Sequence, residues 1–197
     1  MYWWLSDSEK LTPEGGYSEC EAMDSDKIYN YSVIHILVAQ RSKGKIVELK
    51  YRSAQFEDLE NLVSLLANDP LGSKREDTAI PLNSAYISAF QAITNDPNNE
   101  LLVVELNDVL VGMLQITFIP YLTHIGSWRC LIEGVRIHEE FRGHGFGEQM
   151  FQHAIKLAKE KGCNLVQLTS DKKRPDAIRF YEKLGFKATH EGFKLAL

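Results

Sequence analysis

The stretch CLIEGVRIHEEFRGHGFGEQMFQHAIKLAKEKG, from Cys130 to Gly162, constrains the fold more than any other part of the chain. Its opening, Cys130 to His138, has the pattern of a strand. Its second half carries an amphipathic helical stripe that ends at Gly162. Between the two, Gly143, Gly145 and Gly147 fall within five residues. The next run, NLVQLTS, reads as a strand, so the segment predicts one strand–helix–strand unit. Helix N-termini expose unpaired backbone N–H groups and a partial positive charge. Glycines let a phosphate approach those groups closely. Strand, RGHGFG, helix therefore reads either as a phosphate cradle or as a tight glycine-rich turn without a ligand.

The elements around this unit set the class. IVELKYR, from Ile46, alternates like a strand. Phe56, Leu59, Leu62, Val63, Leu65 and Leu66 form a helical stripe. PLNSAYISAFQAITND predicts a second helix, with Asn83 or Ser84 as its cap. LLVVEL, the turn ND and VLVGMLQITFI give a strand–turn–strand signal. RPDAIRFYEKLG predicts a short helix with Pro175 in its first turn and Gly185 at its end. FKATHEGFKLAL is expected to form a closing pair of strands. The order β-α-α-β-β-β-α-β-α-β-β is that of an α/β fold with a mixed sheet. Residues 1–45 differ in composition and are expected to be an extension, partly disordered or peripheral, ahead of a domain at 46–197.

Composition narrows the function. A net charge of −5 and a pI near 5.7 give no global basic character for nucleic acid or an anionic membrane. Cys20, Cys130 and Cys163 are odd in number and widely spaced, so neither a disulfide framework nor a zinc site is expected. The N-terminus lacks the layout of a signal peptide, and VIHILVA is too short to span a bilayer. A cytoplasmic protein with no metal, no nucleic acid and no membrane partner is the expectation.

The loop matches neither common nucleotide motif. A P-loop needs Lys and then Ser or Thr after its last glycine, whereas Glu148 follows Gly147. The dinucleotide fingerprint needs G-x-G-x-x-G after the first strand of a parallel sheet, whereas the spacing here is G-x-G-x-G, late in a mixed sheet. RGHGFG instead resembles the Arg/Gln-x-x-Gly-x-Gly/Ala signature of the GNAT superfamily of N-acetyltransferases. AIRFYEKLGF, Ala177 to Phe186, is similar to that family's later helix-and-strand signature, and the order of elements from Ile46 agrees. The resemblance covers about three quarters of the chain.

The resemblance implies a GNAT fold and transfer of an acetyl group from acetyl-CoA to an amine. It implies that the backbone of Arg142, Gly143, His144, Gly145, Phe146, Gly147 and Glu148 holds the CoA pyrophosphate. It implies that Val135 and Ile137 pair with the pantetheine arm, and that NLVQLTS splays away to admit the thioester. The amide of Val135 would polarise the thioester carbonyl. Where the family often carries an Asn contacting the CoA arm, this chain has Arg174, which faces either a CoA phosphate or water.

Two side chains are candidate catalysts. Alternation places Leu131, Glu133, Val135 and Ile137 on one face, making Glu133 a carboxylate among apolar neighbours whose burial would suit a general base. Gly134 would permit a bulge that changes this face, and Glu133 pairing with Arg129 or Arg136 is the structural alternative. An alkylammonium, with a pKa of about 10, needs such a base before it can attack. Tyr181 is the general acid for the departing thiolate by resemblance, and a plain core tyrosine by its helical stripe. Cys130 has no His or Asp partner in sequence and reads as a small buried hydrophobe. His138 and His144 read as loop residues, and Phe146 as the loop's anchor in the core.

The resemblance implies that Asn68 to Tyr86 and Ile119 to Trp128 flank the acceptor cleft, where Tyr86, Tyr121 and Trp128 are either pocket residues or plain surface or core aromatics. The acceptor is a small-molecule or peptide amine, and a homodimer stays open. Two readings from other classes compete with the enzyme: an acyl-CoA-binding sensor without turnover, and a nucleotide-binding protein of another fold.

Overall fold

The computed structural model describes residues 48–68 and 72–197. The extension expected over residues 1–45 therefore lies outside the described residues, as does the start of the first strand. Among the described residues the chain forms one five-stranded sheet in the order β1-β2-β3-β4-β5. Its strands are β1 (Lys50–Ser53), β2 (Asn99–Leu106), β3 (Val109–Pro120), β4 (Trp128–Ile137) and β5 (Leu165–Leu168). The first four pair antiparallel, and β5 joins β4 in parallel.

Four helices cover the sheet: α1 (Leu59–Ala67), α2 (Ser84–Asn95), α3 (Phe146–Glu160) and α4 (Pro175–Lys183). On one face, α1 buries Leu59, Leu62, Val63 and Leu65, and α2 adds Phe90, against Leu101, Val103 and Met113. On the other face, α3 buries Phe146, Met150, Phe151, Ala154 and Ala158 against Leu114, Ile116, Cys130 and Ile132. Both helix stripes follow the i, i+3, i+4 spacing read in the sequence. The Asn83 side chain caps α2 by accepting from the Ala85 N–H at 3.0 Å. Asn107 and Asp108, both at positive φ, make the tight β2–β3 turn. Arg52 locks β1 to the start of α1, donating to both Asp58 carboxylate oxygens at 2.6 and 2.9 Å and to Glu105 at 2.7 Å.

The two closing strands do not form. Residues 186–197 carry no strand, and Phe193, Leu195 and Leu197 are exposed. Alternation in FKLAL gives a strand-like pattern, but a strand also needs ladder partners and a face to bury. Phe186 alone packs on the α3 core, and Glu191 pairs with Lys172 at 2.7 Å.

Candidate active site

The middle of β4 breaks its own alternation. Glu133 stands opposite Gln115 of β3, and the next registered pair is Arg136 with Met113. One β3 residue, Leu114, thus faces two β4 residues, Gly134 and Val135. Gly134 takes φ of +60°, as a bulge glycine does. Before the bulge, Cys130 and Ile132 point into the α3 core; after it, Val135 and Ile137 do. Leu131 and Glu133 therefore lie on the opposite face from Val135 and Ile137, which corrects the single-face expectation. The buried carboxylate expected at 133 is corrected with it. Glu133 is exposed, because α1 and α2 cover β1 to β3 and the neighbour across the ladder is the polar Gln115.

Past the bulge, β4 also loses its outer neighbour. The β4–β5 pairing ends at Ile132 with Leu168, while β4 runs on to Ile137. The segment Glu133–Ile137 therefore presents a backbone edge beyond the reach of β5. Arginines hold the carbonyls along it: Arg136 Nη1 donates to Val135 O at 2.8 Å, and Arg142 Nε to Ile137 O at 3.0 Å. Arg142 Nη2 also donates to Asn68 O at 3.0 Å, tying the end of β4 to the end of α1.

The glycine loop follows at once. Gly143 and Gly145 sit at φ of +77° and +79°, a region strained for any other L-residue. Phe141 and Phe146 are buried with ring centroids 6.4 Å apart and pin the two ends of the loop to the core. His144 lies beside Phe146, ring to ring at 6.0 Å. Gly147, in the first turn of α3, faces α4, and a Cβ there would stand 3.4 Å from Phe180 Cζ. Glu148 is exposed in the first turn of α3 and accepts from Gln152 at 3.3 Å. The arrangement puts the free N–H end of a fifteen-residue helix next to an open strand edge. A pyrophosphate fits the first, and the amides of an extended arm fit the second.

Tyr181 projects from α4 into the same region. Its ring packs on Phe151, Phe180 and Phe186 at 5.5, 5.5 and 6.2 Å. Burial holds its phenol above the ordinary tyrosine range, and the charges of Arg174 and Arg136 pull the other way. Arg136, from the β4 bulge, and Arg174, at the start of α4, thus both act on the phenol. Sequence spacing offers Arg136 as a partner for Glu133; the structure sets it two residues past the bulge glycine, where its charge acts on Tyr181. Arg174 is exposed at the helix start.

The remaining candidates separate. Burial pushes the Cys130 thiol up to about 12, which leaves no thiolate for attack at neutral pH. Tyr86 is held in the Glu76–Asp77 turn, donating to Glu76 at 3.0 Å and accepting from the Asp77 N–H at 3.0 Å. Tyr121 carries the Arg129 guanidinium at 5.1 Å from its ring centre. Trp128 packs on the α3 core, not on the face of Glu133. No helix among the described residues is long and apolar enough to cross a membrane.

A strand bulge, an open β4 edge and a glycine-led helix in this order define an acyl-CoA N-acyltransferase architecture. The family model described as Acetyltransferase (GNAT) family matches residues 61–186. The chain belongs to the GNAT family of acetyltransferases and is an acyltransferase. It is 32% identical to an aminoalkylphosphonate N-acetyltransferase of Salmonella typhimurium over 57% of this chain and 73% of that protein. A solved structure described as a transcriptional regulator from Bacillus halodurans C-125 shares 55% identity and superposes with a TM-score of 0.74, over 76% of this chain and all (100%) of that one. A putative acetyltransferase from Agrobacterium tumefaciens superposes at 0.67 with 26% identity, over 75% of this chain and 99% of that one.

Proposed function

We propose that the chain transfers an acetyl group from acetyl-CoA to a primary amine of a small molecule by direct attack in a ternary complex. The observation that carries this is the run of β4 past its last pair with β5, ending at the glycine loop. The N–H groups from Arg142 to Glu148 hold the pyrophosphate, and the edge at Val135 and Ile137 holds the pantetheine arm. Family membership and the amine named for the Salmonella relative support the same reading.

Glu133, on the face open to solvent, takes the proton from the alkylammonium, directly or through one water. The amine nitrogen then bonds to the acyl carbon as the carbon–sulfur bond breaks. The Val135 amide donates to the oxygen that gathers charge. Tyr181 gives its proton to the departing sulfur, and the nitrogen, left with one proton too many, returns a proton to the phenolate, giving the neutral amide and CoA thiol. The raised pKa of Tyr181 keeps the phenol protonated through the neutral range, and Arg136 and Arg174 lower the cost of the transient phenolate.

The domain at 46–197 carries this chemistry, so deleting residues 1–45 should leave folding and turnover intact. Release of CoA thiol across a panel of amines tests the proposal: turnover of at least one small primary amine is expected, and turnover of none, with CoA tightly bound, would overturn it. That second outcome is the reading of an acyl-CoA-binding sensor without turnover; the Bacillus halodurans neighbour is described as a transcriptional regulator.

A further inference from the structure

The face of β4 that carries Glu133 holds a second charged group, Arg129, whose Nε has no hydrogen-bond partner among the described residues. Arg129 precedes Glu133 by four residues with no bulge between them, so the two share a face of the sheet. Their Cα atoms are about 13 Å apart along the strand. Long Arg and Glu side chains shorten that gap to the span of a small molecule.

Between them lie Leu131 and, across the ladder, Gln115, Thr117 and Ile119, all half-buried. Further along, Asn99 accepts from Thr117 at 2.6 Å and donates to Asp96 at 2.5 Å. Among the described residues, this row of hydroxyl and amide groups lies outside the apolar cluster that α1 and α2 form with Leu101, Val103 and Met113.

Arg129 itself is half-buried. Its Nε is shut off from solvent and has no hydrogen-bond partner among the described residues. Its guanidinium rests on the Tyr121 ring at 5.1 Å, which orients the fork without neutralising it. A guanidinium offers five donors in a plane suited to a carboxylate, phosphate or phosphonate. A buried Nε without a hydrogen bond is costly, and an oxyanion on the ligand supplies the missing acceptor.

We infer that Arg129 reads an anionic group on the acceptor, so that the preferred acceptor is an amine bearing an oxyanion at its far end. Glu133 receives the ammonium end and Arg129 the oxyanion end, with Gln115 and Thr117 between them. This rests on the proposed acetyl transfer to a small amine and names the class of that amine.

The test pairs 2-aminoethylphosphonate with ethanolamine, which has the same amine and no anion. Calorimetry on the full chain with saturating CoA, and steady-state thiol release with acetyl-CoA, give affinity and KM for each. The wild type is expected to favour the phosphonate at least tenfold in both. Arg129→Gln should erase that ratio, chiefly through KM rather than kcat, while Arg129→Lys keeps part of it. Equal melting temperatures of the three proteins exclude a folding effect. No preference in the wild type, or an undiminished preference in Arg129→Gln, overturns the inference. If no amine is acetylated but the phosphonate still binds in an Arg129-dependent way, acetyl transfer to a small amine fails and the anion site stands.

Discussion

Glu133 stands opposite Gln115, one residue before β4 bulges, and this pair marks where the two faces of the site part. Upstream of it the strand sends Glu133 toward the open face; downstream it sends Val135 and Ile137 toward the α3 core and its open edge toward the glycine loop. The acceptor side and the CoA side of the proposed reaction are thus separated by one backbone irregularity.

That irregularity depends on Gly134. At φ of +60° an L side chain costs about 1–2 kcal/mol. Gly134→Val should lower the melting temperature by roughly 2–8 °C and weaken CoA binding measured by calorimetry. A valine variant with native stability and affinity would show that the bulge is not needed.

Glu133→Gln and Tyr181→Phe should each lower kcat by about a hundredfold or more where chemistry limits the rate. Neither should shift stability by more than about 0.5 kcal/mol, because Glu133 is exposed and phenylalanine keeps the ring cluster around Phe151. Single-turnover acetylation, with melting curves alongside, separates the two effects. Full activity in both variants would remove both residues from the mechanism.

Arg142 is placed to build the site rather than to touch the reacting atoms. Its two donations to backbone carbonyls join β4 to the end of α1. Arg142→Ala should cost about 1 kcal/mol of stability and raise the Kd for CoA several-fold, while Arg142→Lys restores only part. Calorimetric titration of CoA into the three proteins reads this directly.

Stability should fall at alkaline pH in a way that names its source. Burial raises Tyr51 to about 12, from about 10 in the unfolded chain, and Cys130 to about 12. The folded state then holds the proton more tightly, so this stability is complete below the unfolded pKa and is lost as pH rises through the folded one. Melting temperature should decline from pH 9 for Cys130 and from pH 10 for Tyr51, and keep falling to about pH 12. Tyr51→Phe keeps a ring on His153, whose centroid is 4.0 Å away, and should reduce the slope above pH 10, leaving the share that Cys130 and Tyr181 contribute. An unchanged slope in that variant would show that Tyr51 is not its cause.

Much of this architecture was legible in the chain. The stripes of α1 and α3, the Asn83 cap, the Asn107–Asp108 turn and the glycine-led helix start are local, and local spacing encodes them. The shared face of Leu131, Glu133, Val135 and Ile137 did not hold: the bulge that Gly134 allowed reverses Val135 and Ile137 relative to Glu133, which is exposed rather than buried. The strands expected in the tail did not hold either: FKLAL alternates like a strand, yet pairing is decided by a partner that a pattern does not contain. Spacing offered Arg129 and Arg136 only as partners for Glu133; Arg129 lies instead against Tyr121, across the turn between β3 and β4, and the charge of Arg136 acts on Tyr181, 45 residues on.

The central claim is that acetyl passes straight from the thioester to an amine on one protein surface. Initial velocities with acetyl-CoA and the best amine of the panel, varied together, test it most directly. Intersecting lines and no acetylated enzyme by intact mass after acetyl-CoA alone are predicted. Parallel lines with a trapped acetyl-enzyme would contradict it, because they are the signature of a covalent intermediate, for which the buried thiol of Cys130 is not activated.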